Sequence, residues 1–241
     1  MQYSLFNQTD KLESEKGASD TGLSKQRPSR QVEAEQGTPE QQKQAPLRLP
    51  LPEGDVVYYP RFFSQSTADT YFDNLQSELP WRQDSLRMFG KSIPIPRLQS
   101  WHGDSQCTYT YSGLTMVPKP WTSTLADIRD CCSAACGSRF NSVLANWYRH
   151  GQDSMSLHAD DEPELGPNPV IGSVTLGEAR PFVFKHKETK ARYTHLLEHG
   201  SLLVMAGATQ SHYLHGISKT VKPIGGRINL TFRRLIVANS P

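Results

Sequence analysis

Between residues 140 and 235 the chain is cut into short segments that read as strands. They are "FNSVLANWY", "MSLHAD", "VIGSVTLG", "RPFVFKHK", "SLLVMAG", "HYLHGI" and "RINLTFRRL", separated by Gly, Pro and polar turns. Many short strands without intervening helices predict a mostly β domain, a sandwich or a jelly-roll barrel. No repeat period is apparent.

The rest of the chain is organised differently. Residues 1–48 are rich in Gln, Ser, Glu and Lys and poor in large apolar side chains. Such a composition cannot bury a core, so they are expected to form a disordered tail, with residues 49–241 as the folded domain. "STADTYFDNLQSEL" (66–79) predicts an amphipathic helix capped by Ser66 or Thr67. "LRMFGKSIPIPRLQSWHGD" (86–104) predicts short strands and a hairpin. "PWTSTLADIRDCCSAACG" (120–137) predicts a second, flanking helix that stops near Gly137. Along it Leu125, Ile128, Cys132 and Cys136 form one stripe, so these thiols read as small buried side chains rather than metal ligands. The chain opens without a charged start followed by an apolar run. Its longest apolar run, 202–208, is too short to span a membrane, so a soluble intracellular protein is expected. A net charge of +2 does not by itself announce a nucleic-acid partner.

Alternate residues of a strand share a face. In "RINLTFR", Ile228, Leu230 and Phe232 share one face, and Arg227, Asn229, Thr231 and Arg233 the other. A surface strand with its polar side in water explains this as well as a ligand site does. "ANWY" splits in the same way, with Asn146 and Tyr148 opposite Trp147, and in "LHAD" His158 shares a face with Asp160. Three strands of one barrel thus offer polar side chains that could converge on a cavity. His158 and Asp160 could hold one metal ion side by side, and two histidines with one carboxylate form the non-haem Fe(II) pattern. The third ligand is open among His186, His195, His199, His212 and His215. His212 and His215, three apart, would point to opposite faces of a strand.

"HADDE", "YLHGI" and "RINLTFR", in that order, resemble the AlkB family of Fe(II)/2-oxoglutarate-dependent dioxygenases, and most closely its AlkB homologue 2-type branch. "FGK", "TYTYSGLT", "PKPW", "NWY", "SVTLG", "FVFKHK" and "HGSLLVM" extend the likeness over residues 56–235. The resemblance implies a double-stranded β-helix, a form of jelly-roll, with Fe(2+) held by His158, Asp160 and His215. It leaves His212 a packing or supporting role. It implies the co-substrates 2-oxoglutarate and O2, with Arg227 on the far carboxylate of 2-oxoglutarate and Arg233 at the end near iron. Asn146, Tyr148, Asn229 and Thr231 would add hydrogen bonds. The implied reaction is oxidative demethylation of 1-methyladenine and 3-methylcytosine in DNA, with release of succinate, CO2 and formaldehyde.

Those lesions are methylated on the pairing edge, so the base must leave the duplex or lie in a single strand. By the same resemblance Phe89, Gly90 and Lys91 would form a wedge that fills the gap, with Arg97 adding positive charge nearby. Tyr109 and Tyr111 would stack on the extruded base, Tyr111 standing where the family commonly has Phe. Asp161 and Glu162 would contact that base, and their charge favours the methylated bases because these are cations. Glu164 reads as a solvated loop residue.

The tail carries one apolar motif, "QYSLF", from Gln2 through Leu5 to Phe6. It resembles the pentapeptide by which bacterial proteins dock on the replication sliding clamp, with Tyr3 in place of the usual Leu. The expected location is the cytoplasm in a bacterium or the nucleus in a eukaryote. Two other readings stand beside this one: an RNA demethylase of the same family, and a non-catalytic binder of alkylated DNA.

Overall fold

The computed structural model describes residues 44–88, 91–107, 109–111 and 114–237. Its elements begin with β1 (Leu47–Arg48), β2 (Asp55–Tyr59), α1 (Gln65–Glu78), β3 (Ser85–Met88), β4 (Lys91–Pro94), β5 (Leu98–Gly103), β6 (Tyr109–Tyr111) and β7 (Leu114–Met116). They continue with α2 (Ser123–Cys136), β8 (Ser142–Tyr148), β9 (Met155–His158), β10 (Ile171–Gly177), β11 (Arg180–His186) and β12 (Arg192–Leu197). β13 (Ser201–Ala206), α3 (Thr209–His212), β14 (Tyr213–Ile217) and β15 (Arg227–Arg233) complete the described chain. Residues 1–43, with the "QYSLF" motif, and Phe89 and Gly90 lie outside the described residues. So do the side chains of Tyr109 and Tyr111.

Two antiparallel sheets face each other. The larger runs β1-β2-β13-β10-β15-β8-β5 and the smaller β12-β11-β14-β9. Neighbouring strands pair far along the sequence, as in β10 with β15 (Val174 opposite Leu230) and β15 with β8 (Leu230 opposite Ala145). This is the jelly-roll expected. The middle strands of the large sheet are buried on both faces, and the period-two pattern assigns those faces. Val143, Ala145, Val174, Leu176, Ile228, Leu230 and Phe232 pack against Ala68 and Leu75 of α1 and Leu125, Ile128 and Cys132 of α2. Each fully buried large apolar side chain there contributes about 1.5–3 kcal/mol. The opposite face meets the small sheet through Tyr148, Ile171, Leu203 and Met205 against Phe182, Phe184, Tyr213 and Ile217. A band of polar side chains interrupts this second interface.

The two helices lie where the sequence places them, with one boundary corrected. α1 is capped by Ser64, whose extended backbone lets its hydroxyl accept from the Thr67 N–H at 3.2 Å, so the cap is neither Ser66 nor Thr67. α2 is capped by Thr122 and ends at Gly137, whose φ of 59° continues the chain in the left-handed region. Gly177 closes the β10–β11 turn at φ 85°, where a Cβ would collide with the Gly226 carbonyl. Leu47 and Arg48, read as tail, already pair with β2. Among the described residues no helix is long and apolar enough to cross a membrane.

Candidate active site

The polar band is the buried polar part of the strand alternation. On the inner face of the large sheet, register places Gln99 beside Asn146, Asn146 beside Asn229, and Asn229 beside Thr175. One step along, Arg227 faces Tyr148, and at the other end Arg233 faces Ser142. From the small sheet come His158 and His215, which pair across β9 and β14. Asn146, Tyr148, His158, Asp160, His215, Asn229, Thr231 and Arg233 line one pocket between the sheets.

His158, Asp160 and His215 each bring a ligand atom within 4.8 Å of the others. β9 stops at His158, so Asp160 reaches the cluster from the loop and not from a shared strand face. Two contacts fix it there. Its backbone N–H donates to Gln210 Oε1 at 3.0 Å, and its carboxylate accepts from Arg233 Nη2 at 2.7 Å and Nε at 3.3 Å. Burial opposes the Asp160 charge, but Arg233 and the two imidazoles outweigh it and hold the carboxyl down at about 2. Burial, aided by His158, pushes His215 down to about 3, so it is neutral, as a metal ligand must be. Its ring stacks on Phe182 with centroids 5.4 Å apart, and its Nδ1 has no partner among the described residues.

The donor set fits a cation on a further count. His158 Nδ1 lies 2.9 Å from the Ser156 carbonyl, which can only accept, so that nitrogen carries the proton. The neutral ring then turns the lone pair of Nε2 toward Asp160 Oδ1, 3.7 Å away. Two acceptors facing each other in a buried site are stabilised by a positive ion between them. Glu53, His186 and His212 form a second cluster of comparable closeness. There His186 Nδ1 accepts from the Glu188 and Thr189 N–H groups at 3.2 Å, so Nε2 is protonated and donates to Glu53 at 3.1 Å. That tautomer has no lone pair for a metal at Nε2. His212, the last residue of α3, thus sits in a separate polar cluster.

Behind Tyr148, which lines the pocket, Arg227 is 1 % exposed. Nη2 donates to Thr175 Oγ1 at 2.8 Å, and the guanidinium lies 5.3 Å from the Tyr148 ring centroid. Nε and Nη1 have no partner among the described residues. Burial lowers Arg227 to about 10, so it remains a cation at neutral pH. Buried donors on a cation call for an anion, and a carboxylate matches the guanidinium fork.

Several residues differ from expectation. Arg97 is no surface cation: it is 5 % exposed, its Nε donating to Asn146 Oδ1 at 2.8 Å and its Nη1 to the Ser154 carbonyl at 3.2 Å. It faces the pocket wall instead of a phosphate. Asn229 gives its amide protons to Ser173 Oγ and the Val174 carbonyl, and its Oδ1 accepts from Thr231, so its part is to organise the wall. Glu164 is half-buried, with Oε2 out of contact with water, and is not a solvated loop residue. Glu162 is half-buried next to it; burial raises its carboxyl, and Arg233 opposes that rise. Asp161, next in sequence to Asp160, is exposed, 3.4 Å from Lys187 Nζ. Lys91 is exposed on β4.

Gln99, Lys187 and Gln210 were not anticipated. Gln99 had a signal, since it alternates with Arg97 toward the same side. Lys187 and Gln210 had none, because Gln210 meets Asp160 fifty residues away. Lys187 Nζ also donates to the Gln210 carbonyl at 2.8 Å, so it bridges Asp161 and the residue that holds the Asp160 backbone.

The chain is similar to known proteins. Residues 40–233 match the 2OG-Fe(II) oxygenase superfamily. The chain is 39% identical over 196 residues to the human DNA oxidative demethylase ALKBH2, covering 77% of this chain and 75% of that protein. It is 38% identical over 188 residues to the rat alpha-ketoglutarate-dependent dioxygenase alkB homolog 3, covering 74% of this chain and 63% of that protein. The solved structure of OsALKBH1 superposes with a TM-score of 0.58 at 18% identity, covering 79% of this chain and 100% of that one, which shows a shared fold.

Proposed function

The chain belongs to the 2OG-Fe(II) oxygenase superfamily, and on that premise we propose that it is a DNA repair dioxygenase that removes N-methyl groups from alkylated bases. The carrying observation is a pocket with a His158/Asp160/His215 cluster and, behind its Tyr148 wall, a buried arginine with two unpartnered donors among the described residues. The family's cofactors are Fe(2+), 2-oxoglutarate and O2, which together supply the oxidising power to hydroxylate a methyl group while 2-oxoglutarate becomes succinate and CO2.

His158, Asp160 and His215 would hold the iron. Arg227 would take the far carboxylate of 2-oxoglutarate, with Tyr148 and the Asn146 amide as further donors. Arg233 neutralises Asp160 and closes the pocket floor. Asp161 and Glu162, following the metal ligand in sequence, put negative charge beside the mouth, which suits 1-methyladenine and 3-methylcytosine because both are cations. The hydroxymethyl product loses formaldehyde and leaves the normal base. Lys91 on its hairpin, with Phe89 and Gly90, is the proposed wedge that holds an extruded base apart from its duplex. Tyr109 and Tyr111 are its proposed stacking partners.

The test is an incubation of the protein with Fe(II), ascorbate and 2-oxoglutarate on DNA duplexes, DNA single strands and RNA carrying either lesion, read by mass spectrometry. Wild type demethylates DNA and His158→Ala does not; equal behaviour of the two proteins sinks the enzyme reading. A preference for RNA over both DNA forms redirects the substrate. The "QYSLF" segment is proposed as a sliding-clamp tether, which raises local concentration at replicating DNA. Equal clamp binding by the wild-type tail and a Leu5→Ala/Phe6→Ala tail disproves it.

A further inference from the structure

Asn146 sits at the centre of the polar row, and its orientation is chemically determined. A guanidinium has only donors, so the Asn146 atom 2.8 Å from Arg97 Nε must be the oxygen. Gln99, its cross-strand partner on β5, donates to the same oxygen through Nε2 at 2.9 Å. Both lone pairs of Oδ1 are thereby occupied. The amide cannot flip without setting its NH2 against the Arg97 guanidinium, which has no acceptor to offer. Nδ2 is left as the spare donor, in a residue that lines the pocket.

Asn229, opposite Asn146 on β15, is turned the other way, its amide protons spent on Ser173 and Val174. Of the two facing asparagines, only Asn146 keeps a donor for a ligand. The groups on Arg97 are unusual too. Its described acceptors are neutral oxygens, from Asn146 and Ser154, although the side chain is buried. A cation bound to an amide oxygen polarises that amide and strengthens its N–H as a donor toward an anion.

We propose that Arg97 and Gln99 are positioning residues that lock and polarise the Asn146 amide as a carboxylate donor, and thereby set the affinity for 2-oxoglutarate. The proposal rests on reading the pocket as the 2-oxoglutarate site. Arg97 and Gln99 act through Asn146 and do not touch the ligand. Losing Arg97 lets the amide turn its oxygen toward a carboxylate, which repels it, and losing Gln99 removes the second donor that holds and polarises that oxygen.

The experiment titrates 2-oxoglutarate into the full-length, Mn(II)-loaded protein by calorimetry, with the melting temperature recorded in parallel. Arg97→Met weakens binding about tenfold, and the milder, nearly isosteric Gln99→Met weakens it a few-fold. In an Asn146→Ala background neither change weakens it further, because the residue they act through is gone. Gln99→Met guards against a misfolded Arg97→Met. Equal weakening with and without Asn146 overturns the clamp, as does unchanged affinity in both single variants. Arg227→Met is the control for the site itself: if it leaves affinity unchanged, the 2-oxoglutarate reading fails and the clamp with it. If Arg227→Met abolishes binding while Gln99→Met and Arg97→Met do nothing, the clamp alone fails.

Discussion

Arg233 and Asp160 form a two-pronged ion pair, at 2.7 and 3.3 Å, that joins the large sheet to the loop leaving the small one. Asp160 is 1 % exposed, and the Arg233 side chain is 13 % exposed. The pair therefore operates in low dielectric, and removing one partner leaves a buried charge. Arg233→Met is expected to destabilise the metal-free protein by about 3–5 kcal/mol. A divalent cation at the His158/Asp160/His215 cluster takes over the missing positive charge. Mn(II) should thus restore more stability to Arg233→Met than it adds to wild type, measured by urea unfolding with and without the ion. Equal gains would show that the ion does not replace the Arg233 charge on Asp160.

The pH dependence of the metal-free protein follows from its buried histidines. Burial pushes His215 from 6.5 to about 3 and also lowers His102 and His195. Unfolded, these rings take up a proton near pH 6.5; folded, each does so only at lower pH, His215 at about 3. The unfolded state therefore binds more protons across this window, and stability falls as pH drops from about 6.5 toward 3, being complete above it. His215 alone contributes up to about 1.4 kcal/mol per pH unit within the window. Asp160 adds no pH dependence above its ordinary 3.8, where its stabilising contribution is fully present; that contribution is lost only as pH falls from 3.8 toward about 2. Urea midpoints of chelator-treated protein at pH 7.5, 6 and 5 should fall in that order; a flat series would mean that the rings titrate freely.

The alternation of β15 was legible because its apolar and polar residues separate cleanly, so period two alone put Arg227, Asn229, Thr231 and Arg233 on one face. β12 escaped notice because it is an edge strand with Arg192, Thr194 and Leu196 exposed on its outer face, so composition gives it no strand signature. Arg97 was misread because an arginine is by default a surface residue; only the three-dimensional register brings Asn146 to it. Strand alternation could not choose between His212 and His215. In the fold α3 ends at His212, so His215 alone continues into the sheet opposite His158. Contacts such as Gln210 with Asp160 leave no local pattern, since they join segments that meet only after folding.

Gln210 supports the metal cluster from behind. Its Oε1 is the acceptor for the buried Asp160 N–H, and its Nε2 lies 3.6 Å from Met205 Sδ. Gln210→Leu leaves that N–H unsatisfied, at a cost of about 1–3 kcal/mol. The loop then holds Asp160 less well, and metal affinity is expected to fall about 10–100-fold. Competition between the protein and a chelator for Mn(II) measures this directly. Unchanged affinity would mean that Arg233 alone places the carboxylate.

The two acids at the mouth should differ in their effect on substrate choice. Asp161 is exposed and already paired with Lys187 at 3.4 Å, so part of its charge is cancelled and the rest is screened by water. Glu162 is half-buried, and its Oε2 has no hydrogen-bond partner among the described residues. A cationic base entering the pocket is thus stabilised more by Glu162 than by Asp161. Glu162→Gln should lower the kcat/KM ratio for 1-methyladenine over a neutral alkylated base by on the order of tenfold, a single charge contact of about 1.4 kcal/mol. Asp161→Asn should lower it less, and Lys187→Met should raise it by freeing Asp161. Competition between the two substrates in one reaction gives the ratio without separate enzyme calibrations. A larger loss from Asp161→Asn than from Glu162→Gln would assign recognition of the cation to the exposed acid and leave Glu162 a role in the loop alone.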